Sequence, residues 1–194
     1  MRTVCVYCGS SDEIPPSYMD AATKMGQTLA QHQCRLVFGG GGTGLMGALA
    51  DAVLDQNGYV IGVIPEFFNT AALVHSGLSE LQVVETMHVR KARMADLADG
   101  FIALPGGFGT VEELFEILTW SQIGLHRKPV GMLNVDGYYD PLLAFIEHAY
   151  EEGFLYTEHR RLLLSESTPQ LLFDSMQAYQ TPANLSRWVD RTTT

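Results

Sequence analysis

Short, continuously apolar runs recur along this chain, separated by longer amphipathic segments, and that alternation limits the fold more than any other feature. The runs are Thr3–Tyr7, Arg35–Phe38, Val60–Ile64, Leu81–Val84, Phe101–Leu104, Val130–Leu133 and Leu162–Leu164. The early ones are apolar throughout rather than at every second position, as a strand requires when helices cover both faces of its sheet. Between them lie helix-period segments over Tyr18–His32, Leu45–Gln56, His88–Ala98, Thr110–Gly124, Pro141–Glu152 and Pro169–Tyr179. Alternation on this scale predicts a single-domain, Rossmann-like α/β fold, a doubly wound parallel sheet flanked by helices. Its crossovers are expected to be right-handed, with the ligand beyond the carboxyl ends of the strands.

The 194 residues suffice for one domain with a sizeable core. We read residues 1–181 as a nucleotide-binding α/β domain and 182–194 as a C-terminal tail, partly disordered, because Asp190-Arg-Thr-Thr-Thr194 carries no periodic signal. Asn69–Gly77 reads as a loop or weak helix. No apolar run approaches a membrane span, and Met1-Arg-Thr-Val-Cys-Val6 lacks a signal-peptide layout, so the expected location is the cytoplasm. Twelve basic and 22 acidic residues give a net charge of −10, which disfavours a general nucleic-acid surface. An anionic ligand then needs local cations, and Arg90, Lys91 and Arg93 form a compact cluster. Cys5, Cys8 and Cys34 make an odd count that argues against a disulfide framework. Cys5 and Cys8 have C-x-x-C spacing, but Cys5 lies within a strand and no second ligand pair follows, so both are read as packing residues. No metal and no cofactor are expected.

Three strand ends carry small, flexible residues: Cys8-Gly-Ser-Ser11, Gly39-Gly-Gly-Gly-Thr-Gly44 and Pro105-Gly-Gly-Phe-Gly-Thr110. In a parallel sheet these turns share one edge. Each alone is explained by tight turning; together they point to a phosphate or nucleotide site, since glycines admit a ligand to the backbone and helix starts offer N–H groups to an anion. The middle loop is a poor dinucleotide fingerprint, because no acidic residue ends Val60–Ile64 to hold a ribose. A Walker-type loop is excluded by the lack of Gly-Lys-Ser/Thr after any of these glycines. The third loop runs into Glu112 and Glu113. Thr110 and Glu113 have the spacing of a capping box, so Glu113 is open to two readings: a helix cap or a catalytic carboxylate. Glu116 reads as helix-face chemistry of no special role, and His88 as structural. Upstream, Met87-His-Val-Arg-Lys-Ala-Arg-Met94 opens a helix with Met87 and Met94 on an apolar face and Arg90 and Arg93 on a common side. That side is either a solvated basic face or a guanidinium partner for phosphate.

Gly39-Gly-Gly-Gly-Thr-Gly-Leu-Met-Gly47, Met87–Met94 and Pro105-Gly-Gly-Phe-Gly-Thr-Val-Glu-Glu113 together resemble the LONELY GUY family of nucleoside 5′-monophosphate phosphoribohydrolases. The likeness continues through Lys128-Pro-Val-Gly131, Gly137-Tyr-Tyr-Asp-Pro141 and Glu152-Gly-Phe154. It implies hydrolysis of the N-glycosidic bond of a purine nucleoside 5′-monophosphate, AMP or an N6-substituted relative, by a homodimer whose site lies near the subunit interface. It places the catalytic pair at Arg90 and Glu113. Substrate contacts are expected at Gly9, Ser10, Gly41, Gly44, Met87, Lys91, Gly106, Gly107, Gly109, Thr110 and Glu112. In one departure, Ala72 stands where many members carry a glutamate ahead of a stretch like His75-Ser-Gly-Leu78.

Three other functions compete. A non-catalytic nucleotide or molybdenum-cofactor carrier of the same fold leaves the Arg90–Glu113 pairing without a purpose. A pyridoxal-dependent decarboxylase needs a lysine placed for a Schiff base, and none sits in a recognisable cofactor motif. A calcium-dependent nucleoside hydrolase needs an aspartate cluster after the first strand, where Asp12 stands alone.

Overall fold

A computed structural model describes residues 1–183 and 185. Their seven strands are β1 (Thr3–Tyr7), β2 (Arg35–Phe38), β3 (Val60–Pro65), β4 (Glu80–Val84), β5 (Gly100–Ala103), β6 (Val130–Leu133) and β7 (Leu163–Glu166). They form one parallel sheet in the order β4-β3-β2-β1-β5-β6-β7. The helices are α1 (Pro16–Gln31), α2 (Gly44–Leu54), α3 (Met87–Leu97), α4 (Phe108–Gln122), α5 (Asp140–Glu151), α6 (Thr157–Arg160) and α7 (Pro169–Gln177).

The period-2 geometry of β1 explains its unbroken apolar character. Val4 and Val6 enter a core with Met25 and Leu29 of α1, Leu49 of α2 and Phe173 of α7. Cys5 and Tyr7 enter the opposite core with Met94 of α3 and Leu114 and Ile117 of α4. Both layers are closed to solvent, and full burial of a side chain such as Phe38 or Phe101 contributes about 1.5–3 kcal/mol. The carboxylate of Asp99 accepts from the backbone N–H groups of Arg2 (2.7 Å) and Thr3 (3.0 Å), which fixes where β1 begins beside β5.

The doubly wound fold is as expected, and the expected strands and helices lie within about two residues of the observed ones, the usual fraying of boundaries. The short α6 and the single 3-10 turns at Glu66–Phe68 and Val135–Gly137 have no periodic signature and were not foreseen. Asn69–Gly77 is a loop, tied to the middle glycine loop by a Gly41–Val74 antiparallel bridge, and the weak-helix alternative is corrected. His75 anchors it. Its Nδ1 accepts from the Gly77 N–H, so its Nε2 carries the proton donated to Asp51 at 2.9 Å. The tail expected over 182–194 falls outside the described residues except at Pro182, Ala183 and Leu185. Among the described residues, no helix is long and apolar enough to cross a membrane.

Candidate active site

The sheet order reverses direction between β1 and β5, and ligands of open α/β sheets gather outside the strand ends at such a point. All three glycine loops lie there or one strand away. They are stitched together: the Gly9 N–H donates to the Pro105 carbonyl (3.0 Å), the Leu45 N–H to the Gly9 carbonyl (3.1 Å), and the Thr43 hydroxyl to the Ser10 carbonyl (2.9 Å). Gly44 has φ +57°, and a Cβ there would lie 2.5 Å from the Ser10 carbonyl carbon, so the contact tolerates only glycine. Its N–H donates to Asp12 at 2.7 Å. The aspartate that looked solitary in the sequence therefore fills the start of α2.

The start of α4 is different. Its N-cap is Gly107, extended at φ −87° and ψ −151°, which has no side chain of its own to cap with, and among the described residues no other side chain bonds to the first N–H groups. The helix begins at Phe108, two residues before the expected Thr110, so Thr110 is its third residue and not its cap. Thr110 is buried, its hydroxyl 2.2 Å from where a Cβ on Gly106 would sit. The capping-box reading of Thr110 and Glu113 is thereby corrected. A Cβ on Gly107 or Gly109 meets no described atom within 4 Å, so this helix start faces open space. Its first N–H groups have no acceptor within the helix.

Glu113 points instead at α3. The Thr86 side chain caps that helix by accepting from the Val89 N–H (3.2 Å), which places Arg90 in the first turn. Arg90 Nε donates to the Val63 carbonyl within β3 (3.1 Å), and Nη1 donates to Glu113 Oε1 (2.6 Å) with the Met87 sulfur 3.4 Å away. The two side chains are only 13% and 11% exposed. Burial pushes the Glu113 carboxyl above the ordinary glutamate value; Arg90 pulls it back and the neighbouring Glu112 charge pushes it further up. Burial likewise raises the Cys5 and Cys8 thiols and the Tyr7 hydroxyl, with the Glu113 charge adding to each. Both cysteines are free, neutral packing groups.

The basic cluster does not act as one patch. Lys91, one residue beyond Arg90, turns the other way and is buried, donating to Glu112 and, at 2.9 Å, to Glu116. Burial lowers its ammonium pKa, but the two carboxylates outweigh that and hold it above the ordinary lysine value. Arg93 Nε donates to Gln82 on β4 at 2.7 Å. Arg90 and Arg93 do share one side of α3, since the Val63 and Gln82 they bind are register partners on β3 and β4, while the idle role given to Glu116 is corrected. Glu112 and Glu116 are four apart on one helix face, a spacing that could have revealed a shared cation. Of the two methionines, Met94 is in the core but Met87 is exposed beside Arg90, and His88 is exposed.

Gly9, Ser10, Gly106 and Gly107 line a cleft of about 410 Å³ with Ile14 and Tyr18, closed at one side by Tyr138. The Tyr138 hydroxyl donates to the Gly106 carbonyl (2.8 Å), and the Tyr139 hydroxyl to the Leu104 carbonyl (2.6 Å). Sequence reasoning assigned neither tyrosine, although Gly137-Tyr-Tyr-Asp-Pro141 follows a strand that ends at this edge. Gly41 lies apart from the cleft, beneath the Met46 side chain and Leu73. Ala72 is exposed in the same covering loop. Among the described residues, no three His, Cys, Asp or Glu side chains converge as metal ligands.

The family described as "Possible lysine decarboxylase" matches residues 46–176. A cytokinin riboside 5′-monophosphate phosphoribohydrolase from Oryza sativa subsp. japonica is 48% identical over 178 residues, 92% of this chain and 74% of that protein. A protein of the same name from Arabidopsis thaliana is 49% identical over 176 residues, covering 91% and 82%. Among solved structures, the molybdenum cofactor binding protein of Rippkaea orientalis superposes with a TM-score of 0.70 at 21% identity, over 91% of this chain and 96% of that one. The molybdenum cofactor carrier protein of Chlamydomonas reinhardtii gives 0.68 at 16%, over 92% and 99%. At such identities the superpositions speak to the fold alone.

Proposed function

The chain belongs to the LONELY GUY family, and on that premise we propose that it hydrolyses the N-glycosidic bond of purine nucleoside 5′-monophosphates, releasing free base and ribose 5-phosphate. AMP and its N6-substituted relatives are the substrate class, in line with the names of its relatives. One observation carries the reading: a buried Arg90–Glu113 pair beside a helix start that no side chain caps.

The 5′-phosphate is assigned to the start of α4, where N–H groups of the Gly106–Thr110 turn and the helix dipole favour an anion. That anchor leaves the ribose over the sheet edge toward Glu113. As the bond from C1′ to the base nitrogen breaks, C1′ gains oxocarbenium character, which the Glu113 carboxylate stabilises. The same carboxylate orients a water and takes its proton as the water oxygen bonds to C1′. The departing nitrogen carries the bonding pair and, in net balance, gains the proton that Glu113 took from water, which restores the carboxylate. Arg90 holds Glu113 in place and presents positive charge to the leaving base. Gly9 and Ser10 face the phosphate from the β1 loop, and Met87 stands beside Arg90. A direct phosphate contact by Lys91 would require it to leave Glu112 and Glu116.

The protein is proposed to act as a cytoplasmic homodimer. Its three cysteines are free, which suits a reducing compartment. Phe108 at 98% and Phe67 at 85% exposure offer apolar surface for a second copy, and Phe108 adjoins the phosphate turn.

Base release from AMP, GMP, CMP, N6-isopentenyl-AMP and adenosine, measured side by side, tests the proposal. Purine monophosphates should turn over, with adenosine at least about 100-fold poorer in kcat/KM, because phosphate binding positions the scissile bond. Equal turnover of AMP and adenosine would refute the phosphate anchor. Tight nucleotide binding without base release would make the protein a carrier.

A further inference from the structure

Gly39 opens the middle glycine loop directly after β2, and its backbone is not in the left-handed region, so conformation does not require a glycine there. Space does. A Cβ on Gly39 would lie 2.3 Å from Arg90 Nη2, a distance that real Cβ atoms do not reach. The guanidinium is thus gripped on every side: by the Val63 carbonyl at Nε, by Glu113 at Nη1, and by the bare Cα of Gly39 beneath Nη2.

We infer that Gly39 is a positioning residue for the hydrolysis: the side chain it lacks is the seat that lets Arg90 lie flat against Glu113. The inference rests on the roles proposed above for that pair. An alanine methyl needs no backbone change, and the only atoms it meets closely are the tips of Arg90 and Met46, so the fold absorbs it by moving the guanidinium. The guanidinium is a rigid plane, so moving it breaks both the bond from Nη1 to Glu113 and the bond from Nε to the Val63 carbonyl. Gly39 is therefore a glycine for Arg90's sake, whereas Gly44 is one for the backbone's.

Gly39→Ala tests this through four readouts. In kinetics, kcat for AMP should fall by about 100-fold, the scale of losing one aimed charge in an active site, while KM stays within about threefold because the α4 anchor is untouched. In the Arg90→Lys background the same substitution should change residual kcat by less than about threefold, since the atom it displaces is gone. An equal loss in both backgrounds, or near-wild-type turnover of Gly39→Ala, overturns the seat. If Gly39→Ala melts early, Arg90→Lys in the same chain should restore the melting temperature, and failure to do so also overturns it. Guanidinium proton NMR decides independently of turnover. The Arg90 Nε–H signal, identified by its loss in Arg90→Lys, should be protected from exchange in the wild type and unprotected in Gly39→Ala. Unchanged protection refutes the seat even if hydrolysis is confirmed, and a wild type that releases no base refutes the hydrolysis reading while leaving the seat decided by NMR.

Discussion

Glu113→Gln separates chemistry from structure at the centre of the site. The amide keeps the volume of the side chain and still offers an oxygen to Arg90 Nη1, now 2.6 Å from the carboxylate. What disappears is the negative charge, and with it both the stabilisation of C1′ and the proton acceptor for water that the proposed mechanism assigns to Glu113. Losses of general base and electrostatic stabilisation run to about 10²–10⁴ in rate. The fold should respond far less. The bond from Arg90 changes from an ion pair to one between a cation and a neutral amide oxygen, a cost of about 1 kcal/mol. Against that stands relief from burying a charge. The folded-state pKa of Glu113 is raised, so the stability linked to its proton is present below the unfolded value and lost as pH rises through the folded one. Above the folded-state pKa the wild type carries that cost and the amide does not. The two effects oppose each other, and at this size 1 kcal/mol moves Tm by about 2–4 °C. We expect Tm at pH 7.5 within about 4 °C of wild type, with kcat for AMP down at least about 100-fold. Activity within tenfold of wild type, or a fall in Tm beyond about 8 °C, would return Glu113 to a structural role.

Other outcomes follow from the same geometry. The acid limb of kcat/KM for AMP should have its midpoint above the ordinary glutamate value of 4.5, and Arg90→Lys should move it further up, because the guanidinium lowers the Glu113 pKa. A midpoint at or below 4.5 in a pH–rate profile would contradict the burial of the carboxylate. Lys91→Met leaves Glu112 and Glu116 free to turn to solvent, so chemical denaturation should show a loss within about 1 kcal/mol, and KM for AMP should rise less than about threefold. A KM increase beyond tenfold would make Lys91 a phosphate ligand. Asp12→Ala removes the cap of α2 and should cost about 1 kcal/mol while leaving KM for AMP within about twofold. A large KM effect would relocate the phosphate from α4 to α2.

The sheet was legible because burial on both faces writes itself into β1, β2 and β3 as unbroken apolar runs. The edge carrying the site was legible too, since glycine-rich turns follow β1, β2 and β5. The details of the site were not. A capping box and a catalytic carboxylate share one spacing, and only the true helix start at Phe108 separates them. Lys91 looks like an accessible cation in the sequence, because nothing in Met87–Met94 tells which way a neighbour of Arg90 turns. Its burial depends on Glu112 and Glu116 arriving from another helix. The loop glycines read as one phosphate cradle, yet they serve separate ends: Gly39 accommodates a side chain, Gly44 a backbone crossing, and Gly41 the Met46 side chain.

Two of the helices that start at this edge, α2 and α4, follow glycine loops, and each has a carboxylate within reach of its start. Asp12 uses its charge to satisfy the start of α2, and a phosphate there would have to displace it. Had Glu113 capped α4 in the same way, the proposed phosphate site would be filled and the carboxylate withdrawn from the sugar. Beginning α4 at Phe108 instead of Thr110 prevents both. Moving the start two residues upstream carries Glu113 past capping range to the second turn, where Arg90 takes it. It also leaves Gly107 as a cap that supplies no side-chain acceptor, so the N–H groups of the first turn still lack one. The same two-residue displacement thus opens the anion site and aims the carboxylate, and on the proposed mechanism neither is useful without the other.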